Sequence, residues 1–371
     1  MPRDEDASPA GSARYDSRVT SLDFAPLTSP VTRAELEAFR RERGAAPSAA
    51  IMIVIAAFAL VGVAMLVGVI ASGLASRASA NSSGSIVFAL FVAVAIAAVI
   101  ALRWLAARAT WTRWLRLSRF ARANGLVFVA NAPVPAYPGA IFGVGNARVV
   151  PEQLYRQGER YLDVGNLRYT TGSGKNRTTH NWGYVAVKLG RMLPHMILDA
   201  KANNFLGTNL PVSFSRGQVL SLEGDFDRHF TLYCPKEYER DALYVFTPDL
   251  MARLIDEAGL FDVEIIDDWM FLYSARTFDL SDPRALSRVF RIIDTVGEKT
   301  LDRTELYADA KVVSGAVAAA SGAPLGARMA ANIVAPQGRR LRRGLSVGTI
   351  VVLIGVAIYA VVSVLPFFRA F

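Results

Sequence analysis

One uncharged stretch decides the fold that this sequence predicts: SAAIMIVIAAFALVGVAMLVGVIAS, from Ser48 to Ser72. It is rich in Ala, Val, Ile, Leu and Met, and no charged residue occurs between Arg43 and Arg77. A helix of about 20 apolar residues spans the hydrocarbon core of a bilayer, and a longer helix accommodates its extra length by tilting. We therefore expect a transmembrane helix over residues 49–72.

Two further stretches have the same apolar character. Residues 86–105 are apolar except for Arg103, and residues 345–368 contain no charge. A hydrophobic fraction of 52% and a positive mean hydropathy also favour a membrane protein. We expect transmembrane helices over both stretches and an outer loop over residues 73–85. A secretory signal is a poorer interpretation of the first stretch, because a long segment precedes it.

Arginines beside these stretches set the predicted orientation. Clusters of arginine precede the first stretch, follow the second and precede the third, whereas the loop 73–85 contains only Arg77. Because basic flanks stay on the inner side of the membrane, we expect the N-terminus and residues 103–343 in the cytoplasm and Phe371 outside. The expected localisation is the cytoplasmic membrane, crossed several times. The clusters are Arg33, Arg40, Arg41 and Arg43; Arg103, Arg108, Arg113 and Arg116; and Arg339, Arg340, Arg342 and Arg343.

The middle of the chain has short alternating apolar runs separated by turn-forming residues, which are typical of antiparallel strands. The clearest hairpin joins residues 161–170 to residues 178–189 across a loop of turn formers. Later in the chain, residues 261–266 and 269–273 are predicted as a pair of strands that turns at Asp267-Asp268. These runs indicate a sheet built mainly from antiparallel neighbours.

Three helix starts are marked by capping residues. Thr247 and Asp282 each precede a proline and then a run of apolar residues at helical spacing. Near the N-terminus, Thr32 and Glu35 have the spacing of a capping box. Residues 1–48 are otherwise expected to be a disordered cytoplasmic tail, because their composition is polar and lacks an apolar period.

The predicted fold is a membrane protein with three transmembrane α-helices, two N-terminal and one C-terminal, plus a cytoplasmic α+β domain with a mainly antiparallel sheet. This domain is expected over residues 125–305. Residues 306–343 are expected to be a tether of small residues with a basic end that leads to the third span.

Residues 106–124 combine tryptophans on one helical face with arginines on the other faces. A juxtamembrane amphipathic helix of this kind lies along a bilayer surface, with tryptophan at the headgroup level and arginine toward the phosphates. The alternative is that the helix packs on the sheet, with Trp111 and Leu115 in the core. The lipid-facing candidates are Trp111, Trp114, Arg113, Arg116, Arg119 and Arg122.

The loop of the predicted hairpin contains the sequence Gly-Ser-Gly-Lys, which is part of a phosphate-binding loop motif. The full motif requires a glycine where this chain has Tyr169 and a Ser or Thr where it has Asn176, and it joins a strand to a helix. We therefore interpret the loop as a basic hairpin tip. Lys175 and Arg177 are candidates for contact with an anionic surface such as lipid headgroups.

Asp225 and Asp227 resemble the acid-x-acid pair with which some sugar transferases hold a divalent ion, because carboxylates two apart on a strand share a face. A turn in which these aspartates cap backbone amides is the favoured interpretation. With His229, they are the catalytic candidates. The other residues of metal-ligand type show no recognised spacing: His180, His195 and Cys234. We therefore predict no metal and no cofactor.

The net charge of +9 sits largely in the arginine clusters, which favours anionic lipid headgroups of a bilayer as the partner and disfavours nucleic acid. The predicted spans lack the buried ionisable groups of transporters and are interpreted as anchors. The first functional hypothesis is a membrane-anchored cytoplasmic binding or scaffold module. The alternative is a metal-dependent enzyme, a hydrolase or sugar transferase, at the cytoplasmic membrane face. A non-enzymatic role is favoured, and protein partners and homo-oligomerisation stay open.

Four motifs carry a resemblance to known proteins. They are FARANGLVF at 120–128, RYTTGSGKNRTTHNWGYVAVKL at 168–189, LPHMILDAKANN at 193–204, and LEGDFDRHFTLYCPKEYERDALYVFTPDLMARLID at 222–256. Their order resembles a group of uncharacterised bacterial membrane proteins, mostly actinobacterial, that carry a cytoplasmic domain of unknown function. The resemblance spans residues 104–300 and implies an architecture without assigning any catalytic residue.

Overall fold

The computed structural model describes seven continuous ranges of the chain and three isolated positions. They are residues 22–44, 62, 68, 82–158, 161–204, 208–222, 224–297, 299–300, 333–344 and 354. The chain divides into two compact units, one formed by Phe24–Ala123 and the other by Met1–Asp23 with Asn124–Phe371. The first unit is helical, and the second contains the sheet.

The helical unit contains α1 (Ala25–Thr28), α2 (Arg33–Glu42) and α3 (Ser82–Ala123). The predicted capping box at the start of α2 is confirmed. The Thr32 backbone N–H donates to Glu35 Oε2 over 2.8 Å, and the Glu35 N–H donates to Thr32 Oγ1 over 3.3 Å. Hydrogen bonds from the Thr32 hydroxyl, over 2.7 Å, and from the Thr32 N–H lower the pKa of the Glu35 carboxyl.

The prediction of three transmembrane helices is wrong. In the part of the chain that the structure describes, no helix is both long enough and apolar enough to cross a membrane. The stretch 86–105 belongs to α3, which continues without a break through the arginine-rich residues 106–123. The stretches 49–72 and 345–368 lie outside the described residues, apart from three isolated positions. The predicted multi-pass membrane localisation depended on these spans and is corrected with them.

The second unit contains a seven-stranded antiparallel sheet with helices. Its strands are β1 (Val127–Ala132), β2 (Asn146–Arg156), β3 (Leu162–Thr171), β4 (Thr178–Ala200), β5 (Val219–Leu220), β6 (Phe230–Tyr233) and β7 (Asp262–Ser274). The first four strands are neighbours in chain order. The first half of β4 pairs with β3, its last residues pair with β6, and β7 pairs along the opposite edge of β4.

The predicted strand pair at residues 261–273 is instead one strand, β7. Asp267 has a positive φ of 55°, and the pairing of β7 with β4 shifts register beside it. Asp is one of the non-glycine residues that tolerate this left-handed conformation. The Asp267-Asp268 signal therefore marks an irregularity within a continuous strand and does not reverse the chain.

Four α-helices complete this unit among the described residues: α4 (Phe226–His229), α5 (Glu239–Val245), α6 (Pro248–Ala258) and α7 (Pro283–Ile292). The predicted helix starts at Thr247 and Asp282 are confirmed. The Asp282 carboxylate accepts a hydrogen bond from the Arg284 N–H over 3.0 Å. A π-helical turn, Ile293–Gly297, follows α7.

One face of the sheet carries a row of aromatic rings. Along β7, the rings of Trp269, Phe271 and Tyr273 stack with centroids 5.9 and 5.8 Å apart. The segment 133–144 lies over this face, and its Phe142 ring is 5.1 Å from the ring of Tyr184. On this face the core is therefore covered by an irregular segment instead of by a second sheet or a helix.

Candidate functional site

Five basic side chains are exposed at the end of the sheet that carries the β3–β4 loop; we call this region the cationic end. They come from four separate segments, which the strand pairing brings together. Asn146 in β2 pairs with Thr170 in β3, and the Gly183 N–H of β4 donates to the carbonyl of Arg276 after β7. The basic residues are Arg148, Arg168, Lys175, Arg177 and Arg276.

The loop at the cationic end depends on glycine. Gly172 has a φ of +76°, and a Cβ atom there would lie 2.2 Å from the backbone oxygen of Asn176. Only glycine fits such a position without displacing the chain. The turn therefore holds Lys175 and Arg177 at the tip of the hairpin, where both are exposed.

The segments that carry these charges contain no acidic residue, although Glu152, Asp163, Asp268 and Asp279 directly adjoin them in sequence. Residues 143–151, 164–187 and 269–278 form this end of the sheet and contain neither Asp nor Glu. Like charges that gather without counter-charges create a positive potential that attracts anions. The sequence prediction singled out Lys175 and Arg177, and the fold adds Arg168 from the same hairpin and two arginines that are distant in sequence, Arg148 and Arg276.

The aromatic rings at the cationic end are not available for stacking. Tyr169 is 1% exposed and Trp182 is 5% exposed, and the Trp182 indole N–H donates to the Tyr169 hydroxyl over 3.3 Å. The half-buried His180 ring stacks on Tyr169, and its Nε2 lies 2.8 Å from Thr171 Oγ1. This surface therefore presents charge and hydroxyl groups rather than ring faces.

The predicted catalytic candidates lie in and beside the short helix α4. Asp225 Oδ2 is 3.9 Å from His229 Nε2, and both side chains are exposed. Asp227 accepts hydrogen bonds from the Ser221 hydroxyl and, over 3.1 Å, from the Leu222 N–H. Asp227 therefore caps a backbone amide, as the favoured interpretation expected, whereas Asp225 makes no side-chain cap hydrogen bond at the start of α4. Within the described ranges, no group of three or more His, Cys, Asp or Glu side chains is placed to hold a metal ion.

The other residues of metal-ligand type lie elsewhere in the sheet unit, two in its core and one at the cationic end. Cys234 is buried, and its thiol donates to the carbonyl of Pro235. His195 is buried beside Glu264, with 2.8 Å between Nε2 and the carboxylate. His180 lies at the cationic end.

The predicted lipid-facing residues lie in the helical unit, where the tryptophans contact α2. The Trp111 ring lies 6.3 Å from the Phe39 ring and 5.1 Å from the Trp114 ring, and Leu36 and Leu115 join this cluster. This arrangement corresponds to the packing alternative, with α2 as the partner in place of the sheet.

The arginines of the same segment differ in their contacts and in their exposure to solvent. Arg119 forms an ion pair with Glu35 over 2.6 Å, and the Nε of Arg116 donates to the carbonyl of Ser29 over 3.2 Å. Arg122 is exposed and Arg113 is half-buried. At least two of these arginines therefore hold the helical unit together.

A buried carboxylate that sequence reasoning missed joins three segments of the sheet unit. Glu264 accepts hydrogen bonds from the Tyr273 hydroxyl over 2.6 Å and from the Ala140 N–H over 2.7 Å. The Leu341 N–H donates to Nδ1 of His195 over 3.0 Å, so the proton of this imidazole is on Nε2, which donates to Glu264. Burial and the Glu264 charge raise the pKa of Tyr273 well above its usual value.

The basic residues 339–343 belong to a segment that is hydrogen-bonded to the sheet unit. Arg340 contacts both carboxylate oxygens of Asp267 at 2.9 Å. The Ser215 N–H donates to the carbonyl of Arg342, and the Gly344 N–H donates to the carbonyl of Ser213. This arginine cluster was interpreted as an orientation signal, yet in the structure residues 333–344 form a strap across the domain.

A second buried carboxylate, Asp163, is surrounded by hydroxyl and amide donors. The Tyr137 hydroxyl and the Gln153 amide each donate to it over 2.7 Å, and the Tyr184 hydroxyl donates over 3.2 Å. Burial raises the pKa of this carboxyl to about 6, although the hydrogen bonds oppose the rise. The one sequence signal was an acid within the predicted strand 161–170, to which sequence reasoning gave no role.

Comparison with known proteins assigns no family. No protein-family model and no curated protein matches this sequence. Among solved structures, the chain is similar to the crystal structure of the mycobacterial trehalose monomycolate transport factor A, TtfA. The two sequences are 8% identical, and the match covers 48% of this chain and 92% of that chain with a TM-score of 0.31. A likeness at this level carries no conclusion about function.

Proposed function

We propose that this protein is a binding module and that its cationic end recognises anionic, phosphate-bearing lipid headgroups. The observation that supports this proposal is the convergence of five exposed basic side chains from strand segments that contain no Asp or Glu. An anionic lipid surface attracts each nearby Lys or Arg by about 1 kcal/mol, and such contributions accumulate over several residues.

The form of the cationic end favours lipid over nucleic acid. Proteins that bind single strands stack bases on aromatic rings, and the Tyr169 and Trp182 rings of this hairpin are buried. Basic side chains on an exposed tip instead suit a mobile array of headgroups, each of which can move to meet a charge. The metal-dependent enzyme receives no such support, because among the described residues no group of three or more His, Cys, Asp or Glu side chains is placed to hold a metal ion.

The experiment measures binding of the full-length protein to vesicles. Phosphatidylcholine vesicles with increasing phosphatidylglycerol are sedimented at low and high salt, and the signal from neutral vesicles is subtracted. The test variant is Lys175→Gln/Arg177→Gln. Losing two charges removes about 2 kcal/mol, which lowers the affinity for anionic vesicles roughly 30-fold. High salt should weaken the wild type more than the variant, because exposed charges are screened.

A matched control removes the same charge from another part of the sheet unit. Lys236 and Arg240 are both exposed and lie away from the cationic end, in and beside α5. The variant Lys236→Gln/Arg240→Gln should bind anionic vesicles as the wild type does. Equal losses in the two double variants, or binding that ignores lipid charge and salt, would overturn the proposal. Tighter binding to duplex DNA than to anionic vesicles at the same salt would also reject lipid as the partner.

A further inference from the structure

Two buried aspartates lie side by side where β4 meets β7. Leu198 of β4 pairs with Val263 of β7, so the next position in this antiparallel register places Asp199 opposite Asp262. Directly opposite side chains have Cβ atoms about 5 Å apart, and like charges in such a pair repel each other. Asp199 is 4% exposed and Asp262 is 0% exposed.

Nothing in the described part of the chain neutralises this pair. No Lys or Arg forms an ion pair with either carboxylate there. Lys201 is near in sequence, but its ammonium group donates to the carbonyl of Asp227. Burial raises the pKa of both carboxyls, and the neighbouring Asp199 charge adds to the rise at Asp262.

One oxygen of this pair lacks a hydrogen-bond partner. Asp262 Oδ1 accepts from the Ala200 N–H over 2.8 Å and from the Asn203 amide over 3.1 Å, whereas the buried Oδ2 has no partner among the described residues. Buried polar atoms are almost always satisfied by protein, water or an ion. An unsatisfied carboxylate oxygen beside a second carboxylate therefore indicates a position for a cation.

Further oxygen ligands are close at hand. The side-chain amide of Asn204 donates to Asp199 Oδ1 over 2.9 Å, and the Asn203 amide donates to Asp262. Both amide oxygens have contacts of their own, because Asn204 Oδ1 accepts from the Asn209 N–H over 2.9 Å and Asn203 Oδ1 lies 3.4 Å from Asn209 Nδ2. A half-turn of either amide would exchange these contacts and present its oxygen to a cation between the carboxylates. No thiol or imidazole contributes to this donor set.

We propose that Asp199 and Asp262, assisted by the amide oxygens of Asn203 and Asn204, bind a hard divalent cation, for which Ca²⁺ is the best match. Carboxylate and amide oxygens are the ligands that Ca²⁺ uses, and Ca²⁺ tolerates irregular geometry. Mg²⁺ demands near-octahedral geometry and usually keeps several waters, so it fits a buried, protein-lined position less well. The site differs from the Asp225–Asp227 pair that the sequence suggested.

The experiment uses full-length protein that has been treated with a chelator and then dialysed. Calcium chloride is titrated in a calorimeter, and Tm is measured with and without Ca²⁺. We expect one Ca²⁺ per chain and a higher Tm for the wild type with the ion. Asp199→Asn and Asp262→Asn should each lower the affinity by more than about tenfold, since removing even an outer-shell partner costs that much. Asp225→Asn, a change at an exposed carboxylate, should bind as the wild type does.

A spectroscopic measurement locates the ion. Asp199 pairs with Thr231 of β6, so Tyr233, two positions further along β6, is a diagonal neighbour of Asp199 on the same face of the sheet. Tb³⁺ in place of Ca²⁺ should emit when tyrosine is excited, and Tyr233→Phe should reduce this emission while Ca²⁺ binding persists. A wild type without Ca²⁺-dependent heat or Tm change would overturn the proposal. So would variants of Asp199 and Asp262 that bind as tightly as Asp225→Asn.

Discussion

Replacing Gly139 with alanine tests whether the segment 133–144 is packed on the aromatic face as the structure has it. A Cβ atom at Gly139 would lie 2.2 Å from the Tyr273 hydroxyl and 3.0 Å from two carbons of the Phe271 ring. Real Cβ atoms do not approach other atoms so closely. The substitution must therefore displace the segment or the tyrosine.

The expected cost follows from the contacts that are displaced. Overpacking a filled core costs about 1–3 kcal/mol, and moving the Tyr273 hydroxyl would also weaken its hydrogen bond to Glu264. Gly143, in the same segment, has no atom within 4 Å of its added Cβ. Neither glycine has a positive φ. Gly143→Ala is therefore the matched control, and it should be neutral or stabilising by up to about 1 kcal/mol.

A double variant identifies the atom responsible. Tyr273→Phe removes the hydroxyl and should cost about 1.5–3 kcal/mol on its own, because a buried carboxylate loses a donor. In Gly139→Ala/Tyr273→Phe the closest contact is gone, so the combined cost should fall below the sum of the single costs by at least about 0.5 kcal/mol. Free energies of unfolding come from urea denaturation of the full-length variants. The packing is refuted if Gly139→Ala is as stable as Gly143→Ala. If the two single costs simply add in the double variant, the Tyr273 hydroxyl is not the atom that the added Cβ displaces.

Two further predictions concern Asp262 and Arg340. The pKa of Asp262 rises from 3.8 to about 7 on folding. The protonated carboxyl therefore contributes up to about 4 kcal/mol to the free energy of unfolding; this contribution is fully present below about pH 4 and is lost as the pH rises through 7. In chelator-containing buffer, the stability of Asp262→Asn relative to the wild type should therefore increase from pH 4 to pH 8; a difference that does not change with pH would contradict this. Arg340→Gln removes a half-exposed ion pair worth about 0.2–1 kcal/mol and should speed hydrogen exchange of the Leu341 amide by up to about fivefold. Arg343→Gln is the control, and equal exchange in both variants would show that the Asp267 contact does not hold the strap.

The parts of the fold that sequence reasoning found are those with local causes. The β3–β4 hairpin follows from alternating residues that meet at a glycine-rich turn, and the helix starts at Thr247 and Asp282 follow from capping residues and prolines. Each signal lies within a few residues of the element it produces. These predictions are correct because the local preference of each segment and its tertiary packing favour the same conformation.

The failures share another cause. An apolar stretch reports how hydrophobic a segment is, but it does not report what covers the segment or where its helix ends; α3 continues from apolar into arginine-rich sequence without a break. The arginines at 339–343 were assigned to a membrane flank because their partners are remote. Arg340 meets Asp267, which lies 73 positions earlier.

The buried carboxylates show why the candidate sites needed the fold. In β7, Asp262 and Glu264 alternate with Val263 and Ile265, a pattern that predicts one solvent-exposed face and one buried face. In the structure both faces are buried. The acids are tolerated there because residues remote in sequence donate hydrogen bonds to them; the donors to Glu264 include residues 69 and 124 positions away. A buried carboxylate is stable only when such donors or a cation satisfy it. Both oxygens of Glu264 accept hydrogen bonds, whereas Asp262 Oδ2 accepts none among the described residues. Within this strand, Asp262 is therefore the carboxylate that can bind a cation.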